Sequence, residues 1–538
     1  MNNADLIVAI LKAAGIERGF GVPSGNVLPL MEAMRVGGID FVLTAHEGSA
    51  GFAADVTARM TGRPGLCIAT LGPGATNLAT GVGCAWLDRS PLIAITCTLN
   101  QAQLGRRMQM WIDHQTLFRP ITKASFMLRP DNIADTVAQA LGIAMSEPQG
   151  PVHLDLPEDV ALAPAHPRQD LHATPPPEGD GISAPSPEAI GKAMDVLRGA
   201  RHPIAVIGAS AMRMRSPETL RRFVERHRIP FATTTMAKGL IDETHPLSLG
   251  CIERARRQLQ RSFIQEQADL IVGLGYDTVE VEYEAWAGRT PLLHVDNERA
   301  DVDPSVNLIH EAIGNVDSTV AALTALDAQE NAWSETAIAD HRERFQAALR
   351  PESGTFAPHH AIDAVRRVLP SDGVLAFDVG AHTHQIASQW TVHAPRTFLI
   401  TNGWSSMGFG LPAAIAAKLA RPDLRVVCIV GDGCFQMTCG ELTVAAREKL
   451  PIPFVVLDDR WLSLIKVKQE RRSFEHYGTE LFRTDYPSPP AHYFGVPAVA
   501  ALTPARLEAE LTKALGAAGP TVIEAYVDPS HYSETVYD

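Results

Sequence analysis

The chain has 538 residues, 46% of them hydrophobic and 20% charged. That length is more than one core can organise, and that balance excludes a disordered chain, so several packed domains are expected. The formal net charge of −14 repels phosphate backbones and anionic membrane surfaces, which argues against nucleic acid as a partner.

The opening stretch MNNADLIVAILKAAGIERGFGVP puts Leu6, Ile7, Ile10, Leu11 and Ala14 on one helical face, with Asp5 and Lys12 interrupting the apolar residues. This predicts an amphipathic first helix and not a signal peptide. No run approaches the roughly twenty apolar residues of a membrane span, so no membrane is expected. From about Asn3 to Asp159, FVLTAHE, GLCIATLG, PLIAITCT and GPVHLDLP read as buried strands alternating with helices. The stretch Ala161 to Pro187, with APAHP, TPPPEGDG and APSP, reads as a linker. A second block from Glu188 carries PIAVIGA, PFATTT, ADLIVGLG and PLLHVD, and a charged helical stretch from Asp327 to Arg350 reads as a second connector. A third block from His359 carries GVLAFDVG, TFLITNG, RVVCIVGDG, PFVVLDD and TVIEAYVD. The expected fold is therefore α/β, with three doubly wound parallel-sheet domains in series at 1–165, 188–326 and 355–530. The first and third blocks match in size and strand content without a sequence repeat. Cys67, Cys84, Cys97, Cys251, Cys428, Cys434 and Cys439 form no CxxC. They predict buried free thiols in a reducing cytoplasm.

Gly431-Asp432-Gly433 follows the strand RVVCIV. In parallel sheets ligands bind beyond the carboxyl ends of strands, and glycines let the backbone approach a phosphate at a helix N-terminus. GDG alone is a common turn. A second strand, IPFVVLDD, ends in Asp458 and Asp459, 27 residues beyond Asp432. One strand–helix–strand crossover needs about that many residues, so the two strand ends can lie side by side. Asp432, Asp459 and a nearby carbonyl would offer oxygens to Mg2+, with diphosphate oxygens completing the shell.

GDG followed by this paired strand end resembles the signature of thiamine-diphosphate-dependent enzymes. AHEGSAGFAADVTARMTGRPG resembles that family's glutamate helix, and LGPGATNLATGV, with Gly74, its Gly-rich pyrimidine-side loop. LFRPITK, TTTMAKGLIDETHPLSLG, NGWSSMGFGLPAAIAAK and GDGCFQMTCGELTVAA are similar to acetolactate synthase segments at the same chain positions. The resemblance implies thiamine diphosphate and Mg2+. It makes Glu47 the catalytic glutamate that hydrogen-bonds the aminopyrimidine ring. A carboxyl there favours the imino tautomer, so that a base is made from the cofactor itself. Met407 matches the bulky residue between the two rings, and the Ser405 carbonyl should accept from the cofactor amino group. His382 stands where the family's loop meets the diphosphate, although a surface histidine is the plainer reading. Gly431, Asp432, Gly433 and Cys434 line the diphosphate turn, with Asp432, Asp459 and the Trp461 carbonyl on the metal. The family usually has Asn where Asp459 stands and a hydroxyl residue where Cys434 stands. It places each site between two chains, so a homodimer or homotetramer is implied.

The resemblance also narrows the reaction. Pyruvate-decarboxylase-type members carry a His pair and a glutamate beyond the metal loop. The first block has no His-His, and Ile465 occupies the glutamate's place. An apolar lining there favours capture by a second carbonyl over protonation. The segment ADLIVGLGYDTVEVEYEAWAGRTPLLHVD resembles the FAD-free, catabolic type of acetolactate synthase, so FAD is not expected. The implied reaction is decarboxylating carboligation of a 2-oxo acid, pyruvate, with a second carbonyl. Gly48, Met110, which is followed by Trp111, and Lys468 depart from the synthase pattern where the second substrate should bind. The alternatives are therefore another aldehyde, ketone or anionic acceptor, a 2-oxo acid decarboxylase or an acyloin lyase. A cofactor-binding subunit without catalysis is a further class, opposed by retention of both Glu47 and Asp432.

Overall fold

The computed structural model describes residues 1–166, 182–281, 286–328, 331–482 and 489–536. Most of the stretch read as a linker, 167–181, and part of the GYDTVEVEYEAW segment, 282–285, lie outside them. Three parallel-sheet α/β domains follow one another along the chain.

The first helix runs Asn3–Ala13 and buries Leu6, Ile7, Ile10 and Leu11. Asn2 starts it: its side chain accepts from the Asp5 N–H while the Asp5 carboxylate accepts from the Asn2 N–H, satisfying two N-terminal donors reciprocally. The first sheet comprises β1 (Arg18–Gly21), β2 (Asp40–Leu43), β3 (Gly65–Thr70), β4 (Leu92–Thr98), β5 (Ala124–Met127) and β6 (Pro151–Pro157). Its order is β2-β1-β3-β4-β6-β5, and every pairing is parallel. β3, β4 and β6 are buried along their whole length, which is why they read as continuous apolar runs.

The central sheet holds β7 (Pro203–Ile207), β8 (Phe231–Thr233), β9 (Ser248–Cys251), β10 (Leu270–Leu274), β11 (Leu292–Asp296) and β12 (Leu308–Ile313). Its order is β12-β11-β10-β7-β8-β9, a doubly wound sheet that reverses between β7 and β10. The 327–350 stretch is helical as read, over Glu335–Ala348. It is more than a connector: it packs on the central domain, where His341 stacks on Phe263 at 4.0 Å and its Nε2 meets Gln260 Oε1 at 2.9 Å.

The third sheet contains β13 (Val374–Phe377), β14 (Phe398–Leu399), β15 (Val426–Gly431), β16 (Pro453–Asp458), β17 (His492–Tyr493), β18 (Val496–Ala501) and β19 (Thr521–Tyr526). Its order, β14-β13-β15-β16-β19-β18-β17, repeats that of the first sheet and adds an antiparallel edge hairpin, β17–β18. TFLITNG supplies only two paired residues. After Ile400 the chain leaves the sheet because Asp88 draws the Asn402 and Gly403 N–H groups, at 3.1 and 2.7 Å.

The first and third domains share one apolar core. Phe20, Phe52 and Val56 of the first lie in the same cluster as Phe409, Leu411 and Ile415 of the third, and Phe52 meets Phe409 edge-on at 5.6 Å. Arg59 bridges the same boundary, with Nη2 on Asp55 and Asp88 at 2.6 and 2.7 Å and Nη1 donating to the Ile400 carbonyl at 2.6 Å. All seven cysteines are free thiols, and all but Cys439 are buried.

Candidate active site

The third sheet reverses between β13 and β15, and a cavity of about 200 Å3 opens beyond the carboxyl ends of those strands. His382, Ser405, Met407, Gly431, Asp432, Gly433, Cys434, Asp459, Trp461 and Ile465 all line it. Ten positions scattered over more than eighty residues of sequence thus converge on one hollow. Leu462, Leu464 and Tyr532 add to the wall.

Asp432 opens the helix Asp432–Thr438 at the end of β15. Its Oδ1 accepts from the Gly433 N–H at 2.8 Å and its Oδ2 from the Arg460 N–H at 2.7 Å. Asp459 stands at the end of the adjacent strand β16. Its oxygens accept from the Trp461 N–H at 2.9 Å and the Ser463 hydroxyl at 2.8 Å. Burial, and then the neighbouring carboxylates, hold Asp432 well above the ordinary carboxylate range, and burial does the same to Asp459. Two buried acids that resist ionising together are short of positive charge. A hard divalent cation supplies that charge and takes oxygen ligands of this kind. Asp458 beside them is also buried, and its Oδ1 has no protein partner.

The imidazole of His382 packs against Gly380 and Gly431; a Cβ at Gly431 would stand 2.9 Å from the ring. It is buried rather than on the surface, and burial lowers it to about 4, so the ring is neutral. Its Nε2 has no protein partner. A Cβ at Gly433 would fall 2.8 Å from Leu462. The bare turn therefore keeps the N-terminus of the following helix open, a place suited to a phosphate. The Cys434 thiol donates to the Val379 carbonyl at 2.9 Å, and burial pushes it up, so it is un-ionised. These donors and acids fit a diphosphate carried on a divalent cation.

Sequence reasoning missed two acids behind this site. Asp378, just past β13, is fully buried; it accepts from Val379 and Gly408 on Oδ1, at 2.8 and 2.9 Å, and from Gly410 on Oδ2 at 2.7 Å. It therefore fixes the backbone on both sides of Phe409, directly after Met407. An acid closing the strand in FDVG was the available signal. Glu441 reaches the other domain: its carboxylate accepts from the Ala45 and His46 N–H groups, each at 3.1 Å. Ser405 takes a left-handed φ of 50°, and its hydroxyl donates to the Asn402 carbonyl at 2.8 Å.

The structure keeps the first-domain residues apart from this cavity. Glu47 begins the helix Glu47–Thr61 and is buried. Its Oε2 accepts from Asn77 Nδ2 at 3.0 Å, and a Cβ at Gly74 would stand 3.3 Å from its Oε1. Met110, at a φ of 63°, and Trp111 lie on the loop that backs the Gly-rich turn. Lys468 is half-buried on the helix Ser463–Arg471 and is not among the cavity's lining residues. On the same helix Lys466 places its Nζ 4.3 Å over the Trp461 ring.

Three family descriptions match the chain in order: the thiamine pyrophosphate enzyme N-terminal TPP binding domain over residues 1–117, its central domain over 190–323, and its C-terminal TPP binding domain over 378–525. The chain belongs to the thiamine pyrophosphate enzyme family. It is similar to the acetolactate synthase large subunit of Parasynechococcus marenigrum, 30% identical over 98% of this chain and 88% of that protein. It is also similar to the isozyme 1 large subunit of Escherichia coli, 31% identical over 98% and 94%. The probable large subunit of Methanococcus aeolicus is 30% identical over 98% and 92%. The chain is thus a thiamine-diphosphate-dependent, acetolactate synthase-like carboligase. No helix among the described residues is long and apolar enough to cross a membrane.

Proposed function

We propose that this enzyme joins the acyl unit of a 2-oxo acid such as pyruvate to a second carbonyl, in sites shared between two copies of the chain. The observation that carries this reading is the split of the site. The acids, glycines and His382 surround one cavity, while Glu47 and Gly74 face each other outside it. A second copy brings the missing half.

Thiamine diphosphate, when bound, supplies the nucleophilic carbon that decarboxylation of a 2-oxo acid requires. Asp432, Asp459 and the Trp461 carbonyl would hold Mg2+. His382, with its free Nε2, and the Gly433 N–H would take diphosphate oxygens, and Cys434 stands beside them. Met407 would prop the rings and Ser405 would offer its carbonyl to the amino group. Glu47 has Oε2 engaged by Asn77, which leaves Oε1 to exchange a proton with the aminopyrimidine of the partner's cofactor. Ile465 keeps the mouth apolar, and an apolar mouth withholds the proton that would end the reaction as simple decarboxylation.

The same reading has no place for FAD. The central crevice between β7 and β10 is occupied from within, because Glu280 accepts from the Ala209 N–H at 2.7 Å and the Thr234 hydroxyl at 2.5 Å. Asp277, Asp296 and Glu298 line the hollow beside it together with Arg89 and Arg213, and these arginines are engaged by Asp277, Glu298 and Glu147 at 3.2, 3.0 and 2.7 Å rather than left for a dinucleotide's phosphates.

The second reading, an acceptor other than pyruvate, is favoured by Met110 and Trp111, which stand where the synthases' acceptor side lies. Incubation with pyruvate alone and with a panel of aldehydes and ketones tests both. Release of CO2 that depends on thiamine diphosphate and Mg2+, with a carbon–carbon ligation product by mass spectrometry, is the expected result. Aldehyde as the sole product would convert the reading to a decarboxylase.

A further inference from the structure

A buried polar chain runs through the first domain, and neither the cavity nor the cofactor contacts account for it. Asp155 lies in the middle of β6 and Thr96 directly opposite it in β4. Both are buried, as are His153 and His114. A carboxylate inside a parallel sheet is costly unless every lone pair is used, so its partners define its purpose.

The donors can be assigned in one way from end to end. The Gly72 N–H donates to His114 Nε2 at 3.1 Å. That nitrogen therefore carries no proton, and Nδ1 donates to Asp155 Oδ1 at 2.9 Å. The Thr96 hydroxyl donates to the same oxygen at 2.8 Å. Thr96 Oγ1 lies 2.7 Å from His153 Nε2, whose proton it accepts, and His153 Nδ1 then accepts from the Ser125 hydroxyl at 2.7 Å. Burial lowers His153 to about 4, which keeps it neutral as this polarity requires. Everything converges on Asp155, and Asp155 fixes the tautomer and plane of His114 by the logic that orients a catalytic histidine elsewhere.

His114 in turn fixes Gly72. This residue has φ 62° and ψ −111° and opens the helix Pro73–Leu87, and a side chain there would strike the Met110 carbonyl at 2.2 Å. Only glycine tolerates the site, and glycine alone gives no stiffness, so the hydrogen bond to His114 supplies it. Two parts of the proposed site hang on this joint. Gly74 and Asn77, in the first turns of that helix, face the two oxygens of Glu47. Met110, whose carbonyl backs Gly72, carries the acceptor wall with Trp111.

We infer that His114, oriented by Asp155, is a positioning residue that holds the acceptor wall in register with the Glu47 turn. The inference rests on the carboligase reading for its kinetic half only. In the cofactor-free protein, hydrogen exchange followed by mass spectrometry should show residues 68–78 exchanging about tenfold faster in His114→Phe, which keeps the ring but accepts nothing. His114→Gln, whose carbonyl oxygen can receive the Gly72 N–H, should restore most of the protection. In turnover, His114→Phe should raise the acceptor's KM about tenfold while the donor's stays within about twofold. Where His114→Phe does not fold, Asp155→Asn, which removes the charge that orients the ring, carries the same two readouts. Unchanged exchange, a Gln variant no better than Phe, or equal effects on both substrates would overturn the inference. The exchange measurement needs no turnover, so it stands even if the carboligase reading fails.

Discussion

The crevice between β13 and β15 and the crevice between β7 and β10 occupy equivalent places, beyond the carboxyl ends of strands where a doubly wound sheet reverses its order. Both are entered by close-packed glycines, Gly380 and Gly431 in one, Gly208 and Gly275 in the other. They differ in how their polar groups are satisfied. In the third domain His382 Nε2 is left without a protein partner and two buried acids face one another. In the central domain Glu280 folds back onto the Ala209 N–H and the Thr234 hydroxyl. Topology supplies a crevice in both cases, and side chains decide whether a ligand is needed to complete it. The central hollow keeps unmet atoms of its own, His294 Nδ1 and Asn297 Oδ1, so the contrast lies in the facing acids Asp432 and Asp459 and in His382 between its glycines, not in unmet groups alone.

The strongest way to break that comparison is to disable the open crevice and its distant partner in turn. Glu47→Gln should lower turnover by about 10²–10⁴-fold with the fold intact. Asp432→Ala should lose Mg2+-dependent retention of thiamine diphosphate, read by calorimetry. If sites are shared between chains, mixing and re-associating the two inactive variants should return roughly a quarter of the parent activity, because half the dimers carry one sound site of two. No recovery in re-associated mixtures would place Glu47 and Asp432 in the same chain's site.

The closed crevice offers a weaker but signed test. Burial pushes Glu280 from 4.5 up to about 8. The folded state therefore holds a proton that the unfolded state releases between those values. Its contribution to stability is complete below the unfolded value and is lost as pH rises through the window, at no more than about 1.4 kcal/mol per pH unit. Glu280→Gln keeps an acceptor for Ala209 and carries no such slope. The unfolding midpoint of the variant should therefore gain on the parent's from pH 5 to pH 8, and a constant gap would show that Glu280 is ionised in the crevice. The smallest expected effect sharpens the contrast from the other side. Cys434→Ser places a stronger donor at the diphosphate turn, and cofactor dissociation should slow up to about fivefold, about 1 kcal/mol.

Much of this architecture is legible in the sequence, for reasons that vary by element. β3, β4, β15 and β16 announce themselves because strands buried on both faces are continuous apolar runs. TFLITNG reads as a strand although only Phe398 and Leu399 pair, whereas the hairpin β17–β18 does not announce itself, since β17 has two residues and β18 lies mostly half-buried near the sheet edge. Gly431 to Gly433 and Asp459 line one cavity, as a glycine turn and a crossover length lead one to expect, while Cys434 stands beside them where only the family resemblance pointed. Asp378, Glu441, Glu280 and the His114–Asp155 pair are not. Each is a single polar residue in an otherwise ordinary segment, and its partners are set by which strands become neighbours. Lys468 is not among the residues that line this chain's cavity, and Lys466, two residues earlier, is the cation that stands over the Trp461 ring.

The hold of Asp88 on Asn402 and Gly403 bears on how far these domains are modular. The next residue, Trp404, is seated where a Cβ at Gly83 would lie 2.7 Å from its ring. Both grips come from the helix Pro73–Leu87 and the residue that ends it, and both precede Met407 by only a few positions. The third domain thus carries the acids for the metal within its own sequence but borrows the shape of its ring-propping loop from the first. A chimera that transplants the C-terminal domain onto a relative's scaffold must bring a matching aspartate and glycine with it, or it will retain the metal acids and lose the loop.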